Sequence, residues 1–176
     1  METLNNTIEV GKPGIAITNK QQITPFLWLN GNVEDAVNFY TSIFENLAVV
    51  NINALPDGVP GRKGKVISAT FRLNGLEFMA LDGGPLYSFT PAISFFVHCE
   101  TQQEVDHFWE KLSSGGETVQ CGWLKDKFGI SWQIVPNILG KLLGDPNPVK
   151  SGNVMKAMIK MIKLDIEDLK KAYEEA

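Results

Sequence analysis

An order of elements that runs twice along the chain limits its fold more than any other feature of the sequence. Ile23 to Leu29 is a short run of β-formers closed by Asn30-Gly31-Asn32, and Val33, Ala36, Val37, Tyr40 and Phe44 then recur at helical spacing. Strand-like runs follow over Ala48 to Ala54, Val66 to Leu73 and Leu76 to Leu81, the last two joined by the hairpin turn Asn74-Gly75. From Ala92 the order begins again. Ile93 to Cys99 reads as a strand, and Thr101 to Leu112 as a helix whose Thr101 and Glu104 have the spacing of a capping box. The likeness extends to residues: Asp35-Ala36-Val37-Asn38-Phe39-Tyr40 matches Glu104-Val105-Asp106-His107-Phe108-Trp109, and Asn74-Gly75-Leu76 matches Phe128-Gly129-Ile130. The expectation is an α+β protein of two tandem βαβββ modules, about 23–85 and 90–136, produced by duplication.

Around this core, residues 1–22 form a polar leader containing Gly11, Pro13 and Gly14, and residues 137–176 form a helical C-terminal extension. In the extension, Pro146 and Pro148 separate a short segment from a helix over Val154 to Ile162, and Asp165 suits an N-cap for Ile166 to Tyr173. Met155, Met158, Met161 and Ile162 then share a face that suits core or a subunit contact. A chain of 176 residues with 44% hydrophobic and 20% charged residues buries a core without help from a metal or disulfide. Its net charge of -4 supplies no positive field for nucleic acid or an anionic membrane surface. Residues 1–20 have no basic start followed by an apolar run, and no stretch has the ~18 apolar residues of a membrane span, so a cytoplasmic location is expected. In that reducing compartment Cys99 and Cys121 read as separate packed thiols.

Several blocks together resemble one family. These are Phe39-Tyr40 with Phe44, the Asp82-Gly83-Gly84-Pro85 turn, the run from Cys121-Gly122-Trp123 through Asp126-Lys127-Phe128-Gly129-Ile130-Ser131-Trp132-Gln133-Ile134-Val135-Pro136, and the tail Met155-Lys156-Ala157-Met158 with Met161, Lys163 and Leu164. They are similar to the PhnB-like branch of the vicinal-oxygen-chelate (glyoxalase and bleomycin-resistance) superfamily, from about Ile23 to the C-terminus. The resemblance implies curved mixed sheets, each forming half of a shared cavity, and pairing into a homodimer. Many such proteins are called demethylubiquinone methyltransferases. Adenosylmethionine enzymes typically need a glycine-rich turn from a parallel strand into a helix, and Gly58 to Gly64 and Gly83-Gly84 instead lie between antiparallel-type strands.

Enzymes of the superfamily place metal ligands on the first and last strand of each module. By spacing from the helix aromatics and the module ends the corresponding positions lie near Pro25, Met79, Ala92 or Ser94, and Gln133, none of them a histidine or carboxylate, and a register slip of one recovers no cluster of ligands. No metal and no cofactor are therefore expected. Strand alternation puts Ser94, Phe96 and His98 on one face and Ser131, Gln133 and Val135 on another, and the resemblance turns both inward. Ligand-binding candidates are Gln133, Ser94, Phe96, Met79 and His98. Gln133 offers a neutral amide to orient a polar group, or a plain hydrogen bond inside the sheet. Glu77 has the parity of Met79 and reads as a cavity carboxylate or a solvent-facing edge residue; Trp132, Ile130 and Ile134 should pack on the helix. His107 reads as an ordinary helix residue, and Cys121 lacks a partner that would make it a nucleophile. The segment from Pro56 to Gly64, with Arg62, Lys63 and Lys65, reads as a solvated hairpin loop in preference to an anion-binding nest, and could serve as a flap or a dimer contact.

No catalytic residue emerges from this set, and three functions compete. The favoured one is a metal-free protein that binds a small, largely apolar or aromatic molecule. The others are an enzyme of the same superfamily with unconventional metal ligands, and an association module with a closed cavity. The donor set makes a direct prediction: elemental analysis of the purified protein finds no equimolar transition metal, and a stoichiometric metal bound through Gln133 or Glu77 would contradict it.

Overall fold

The computed structural model describes residues 21–44, 48–55 and 65–175. The leader through Lys20 and the Pro56 to Gly64 loop lie outside these residues. The chain divides into two compact units, one ending at Ser88 and one beginning at Phe89.

The first unit contains β1 (Phe26–Leu29), α1 (Val33–Thr41), β2 (Ala48–Ala54), β3 (Val66–Leu73) and β4 (Leu76–Asp82). Its sheet runs β1-β4-β3-β2, with β1 parallel to β4 and the other pairs antiparallel. A parallel return needs a crossover, and α1 supplies it. Val33, Ala36, Val37 and Tyr40 are the buried side of that helix, and Tyr40, Phe71 and Phe78 stack in sequence beneath it at centroid spacings of 6.3 and 5.7 Å. Strand alternation sends Leu27, Leu29, Ala69, Phe71, Phe78 and Ala80 to the same core.

The helix is shorter than its apolar spacing predicts: it ends at Thr41, Ser42 caps it, and Ile43 and Phe44 are buried from the turn that follows. The first strand is also shorter, starting at Phe26. Gln21, however, is held: its side-chain amide donates to the Glu77 carbonyl at 3.0 Å and accepts from the Glu77 amide at 3.0 Å. The Asp82-Gly83-Gly84-Pro85 turn is a socket for Trp28. The indole N–H donates to the Gly84 carbonyl at 3.0 Å, and a Cβ on Gly83 would lie 2.0 Å from the indole ring, so only glycine fits. Asp82 accepts from the Gly31 amide at 2.7 Å, and its 2.6 Å ion pair with Lys65 keeps its carboxyl below the usual range.

The second unit repeats the plan with β5 (Ser94–Cys99), α2 (Gln102–Ser113), β6 (Glu117–Thr118), β7 (Trp123–Lys125) and β8 (Ser131–Pro136) in the order β5-β8-β7-β6. Thr101 and Glu104 form the expected capping box at the start of α2. The two sheets also agree in register: Phe26 lies opposite Met79 across one parallel pair, and Phe96 opposite Gln133 across the other. Val97, Cys99, Leu124, Trp132 and Ile134 are buried with Val105, Trp109 and Leu112 of α2.

The helices α3 (Ile138–Leu143), α4 (Pro148–Met158) and α5 (Ile166–Glu174) complete this unit. Leu139, Leu142, Val154, Leu164 and Leu169 form one cluster with Val135 of the sheet. Pro148 is inside the first turn of α4 rather than a separator. Proline lacks the N–H that this position leaves unpaired anyway, and Asn147 caps the helix through its side chain. The expected methionine face is divided. Helix α4 ends at Met158, and Met158 and Met161 pack on the cluster while Met155 and Ile162 are exposed. Met161 and Ile162 instead offer carbonyls to the amides of Cys121 and Gly122. Gly122 has φ +80°, and a Cβ there would lie 2.7 Å from the Ile134 carbonyl oxygen.

A buried carboxylate fixes the last turn of the sheet. Asp126 Oδ1 accepts from the amides of Phe128 and Ile130 at 2.9 and 3.0 Å, and Oδ2 accepts from the Trp132 indole at 2.8 Å. Hydrogen bonds to a charged acceptor are stronger than neutral ones, and their loss leaves buried donors unpaired. Asp126→Ala is expected to lower stability by about 2 to 4 kcal/mol in urea titrations followed by tryptophan fluorescence. A change below about 0.5 kcal/mol, the level of an ordinary surface substitution, would refute this role.

Candidate functional site

Each sheet has one face committed to its helix, and the chemistry of the other face is open to question. In the second unit that other face carries Ser94, Phe96 and His98 from β5, Ser131, Gln133 and Val135 from β8, and, by ladder register, Trp123 and Lys125 from β7. Ser131 and Val135 are buried, Val135 by the C-terminal cluster. On β7, Trp123 and Lys125 are half-buried and Lys125 pairs with Glu117 at 2.8 Å, so the accessible set on β5 and β8 is one carbocyclic ring, Phe96, and three polar groups. Phe96 is 47% exposed, large for an aromatic side chain in the middle of a sheet strand. Gln133 lies directly opposite it and donates from Nε2 to Ser94 Oγ at 2.9 Å. That bond holds the amide, and its Oε1 has no hydrogen-bond partner among the described residues.

His98 packs its ring against Phe96 at a centroid distance of 4.7 Å. Its Nδ1 is 3.0 Å from Asn137 Oδ1, and Asn137 Nδ2 donates to Glu100 Oε1 at 2.6 Å. Neither Asn137 nor Glu100 was recognisable as part of this face from sequence. The available sign was that Asn137 immediately precedes α3, a position where asparagine ordinarily caps; its side chain makes no cap bond here.

Of the five sequence candidates, Ser94, Phe96, His98 and Gln133 share this face. Met79 belongs to the first sheet, opposite Phe26 on one side and Thr70 on the other. Pro25 requires a correction: it precedes β1, and its carbonyl accepts from the Met79 amide, so the side chain beside Met79 is that of Phe26. A shift of one residue along a strand exchanges faces. Glu77 is not a solvent-facing edge residue. It is 3% exposed and ion-paired with Arg72 at 3.1 Å, on the side of β4 that carries Met79. Among the described residues no group of three or more His, Cys, Asp or Glu side chains gathers in metal-binding geometry. Nor is any helix among them long and apolar enough to cross a membrane.

Residues 21–135 match the family described as 3-demethylubiquinone-9 3-methyltransferase. The match stops before α3, so the Met155 to Leu164 tail lies outside it. Among solved structures, the chain is similar to the PhnB protein from Bacillus cereus, at 42% identity and TM-score 0.61, over 66% of this chain and 99% of that one. It is similar in fold to protein PA1353 from Pseudomonas aeruginosa, at 22% identity and TM-score 0.53, over 66% of this chain and 97% of that one. A fainter likeness, at 14% identity and TM-score 0.42, is to a glyoxalase-related enzyme from Fulvimarina pelagi, over 68% of this chain and 91% of that one. No curated protein is significantly similar in sequence.

The two thiols have different chemical prospects. Cys99 is buried, and burial, reinforced by the nearby charge of Glu104, pushes its pKa up to about 12. The thiolate is the reactive form, so Cys99 is inert at neutral pH. Cys121 is half-buried in a turn with φ 60°. A disulfide-exchange reagent at about pH 8 should therefore titrate one thiol, Cys121, in the native protein and both after denaturation. Rapid native modification of Cys99, located by mass spectrometry, is the contrary result.

Proposed function

Since the chain belongs to the PhnB-like, 3-demethylubiquinone-9 3-methyltransferase family, we propose that its role within that family is to bind a small, largely apolar, planar molecule on the Phe96 face of the second sheet, without a metal. The observation that carries this reading is the exposed Phe96 ring set between the Gln133–Ser94 pair and the His98 imidazole. Ligand sites combine apolar area for affinity with a few fixed polar groups for orientation, and this face has that composition. A ring stacked on Phe96 gains contact area, while Gln133 Oε1 and His98 bond to polar substituents at its rim.

Chemistry has less support than binding. Nucleophilic catalysis needs a base beside the nucleophile, and Ser94 has an amide there instead. Lewis-acid chemistry needs a donor shell, and a thioether (Met79) in the first unit or a hydroxyl and an amide (Ser94, Gln133) in the second make poor ones. Methyl transfer from adenosylmethionine calls for a glycine-rich strand-to-helix turn. The β5 to α2 turn is Glu100-Thr101, and in the β1 to α1 turn the amide of Gly31 is already bonded to Asp82.

Calorimetry with a panel of small planar aromatic compounds tests the proposal. At least one should bind saturably. For that compound Gln133→Leu should weaken binding by roughly 1 to 3 kcal/mol through an unpaired polar group, with the circular dichroism spectrum kept. Absence of binding across the panel, or unchanged affinity in the variant, would count against it.

A further inference from the structure

His98 occupies the end of the exposed face and is fixed by neighbours that decide where its proton sits. A carboxylate only accepts hydrogen bonds, so the group 2.6 Å from Glu100 Oε1 must be the NH2 of Asn137. The opposite end of that amide is then the carbonyl oxygen Oδ1, which also only accepts. Facing it at 3.0 Å, His98 Nδ1 must carry the hydrogen. In the neutral ring the lone pair is left on Nε2, and Nε2 has no partner among the described residues.

The relay is anchored at both ends. The Glu100 amide is held by Glu104 Oε2 at 2.5 Å beside the capping box of α2, and the Asn137 amide donates to the Cys99 carbonyl at 2.8 Å. The Asn137 side chain forgoes the cap of α3 and spans the two. The other polar pair on the face gives its donor away internally, Gln133 Nε2 to Ser94 Oγ. On β5 and β8 the face thus presents two acceptors, Gln133 Oε1 and His98 Nε2, on either side of the Phe96 ring, together with the Ser94 hydroxyl, which keeps its own hydrogen to donate.

We infer that His98 is the specificity-determining acceptor of this face, its Nε2 receiving a hydrogen bond from a hydroxyl or N–H group on a planar ligand stacked over Phe96. The ligand class is an aromatic or conjugated ring that carries a donor, in preference to the same ring with the donor capped. This rests on the binding reading above. Asn137 and Glu100 are positioning residues that act through the imidazole.

Two measurements on the full chain separate this inference from the reading beneath it. Long-range 1H–15N correlation at about pH 8.5, two units above the ordinary imidazole value of ~6.5, reports which ring nitrogen is protonated. His107 is the other histidine in the chain, so His98→Phe assigns the signals. The expected pattern is Nδ1–H with an unprotonated Nε2, shifting toward Nε2–H in Asn137→Leu. An Nε2–H ring in the unsubstituted protein overturns the inference.

The second measurement compares 1-naphthol with 1-methoxynaphthalene in calorimetry. The methyl ether is the more apolar compound, so simple burial favours it. The inference requires naphthol to bind about tenfold more tightly, the scale of one net hydrogen bond, and His98→Phe to abolish that preference while keeping a ring on the face. Equal binding of the two compounds, or a preference that survives in His98→Phe, overturns the inference alone. Failure of both to bind overturns the binding reading and this inference with it.

Discussion

In both modules the first strand returns to pair in parallel with the last. Phe26 faces Met79 and Phe96 faces Gln133 across these pairs, and everything else in each sheet is arranged around them. A parallel pair cannot be closed by a hairpin. The connection must cross the sheet, and a helix that crosses it covers one face and leaves the other uncovered. The covered face becomes the core, with Tyr40 on Phe71 in one module and Trp109 and Leu112 over the sheet in the other. The uncovered face is where polar side chains are tolerated mid-strand. Ser94, His98 and Gln133 stand on that face for a topological reason before they have any chemical one.

The residues that make the chain recognisable are mostly scaffold. Gly83 makes room for the Trp28 indole, Gly122 for the approach of the Ile134 carbonyl, and Asp126 ties Phe128, Ile130 and Trp132 into the final turn. These positions keep the modules folded, so they report ancestry and architecture. They say little about a ligand, since the same scaffold can carry different groups on its uncovered faces.

This division also explains what could be read without coordinates. The bounds of β2 and β3 and the capping box of α2 were legible because alternation, hairpin turns and caps are local in sequence. The same alternation grouped Ser94 with Phe96 and His98, whereas spacing from the helix aromatics pointed near Pro25, which precedes the strand and carries no ladder position. Asn137 and Glu100 were illegible for another reason: Asn137 is 39 residues from His98, and nothing in a helix-start asparagine indicates that its side chain turns away from the helix. Nor could spacing show that Val135, alternating with Gln133, would be taken by the C-terminal helices.

The central claim is that one face of the second sheet, and not its helical side, receives the ligand. Titration of isotope-labelled protein with 1-naphthol, followed through backbone amide shifts, addresses it residue by residue. The account predicts saturable perturbations concentrated at Ser94, Phe96, His98 and Gln133. Saturable perturbations centred on α2 or on the α3 to α5 cluster, with these four residues unmoved, would contradict it.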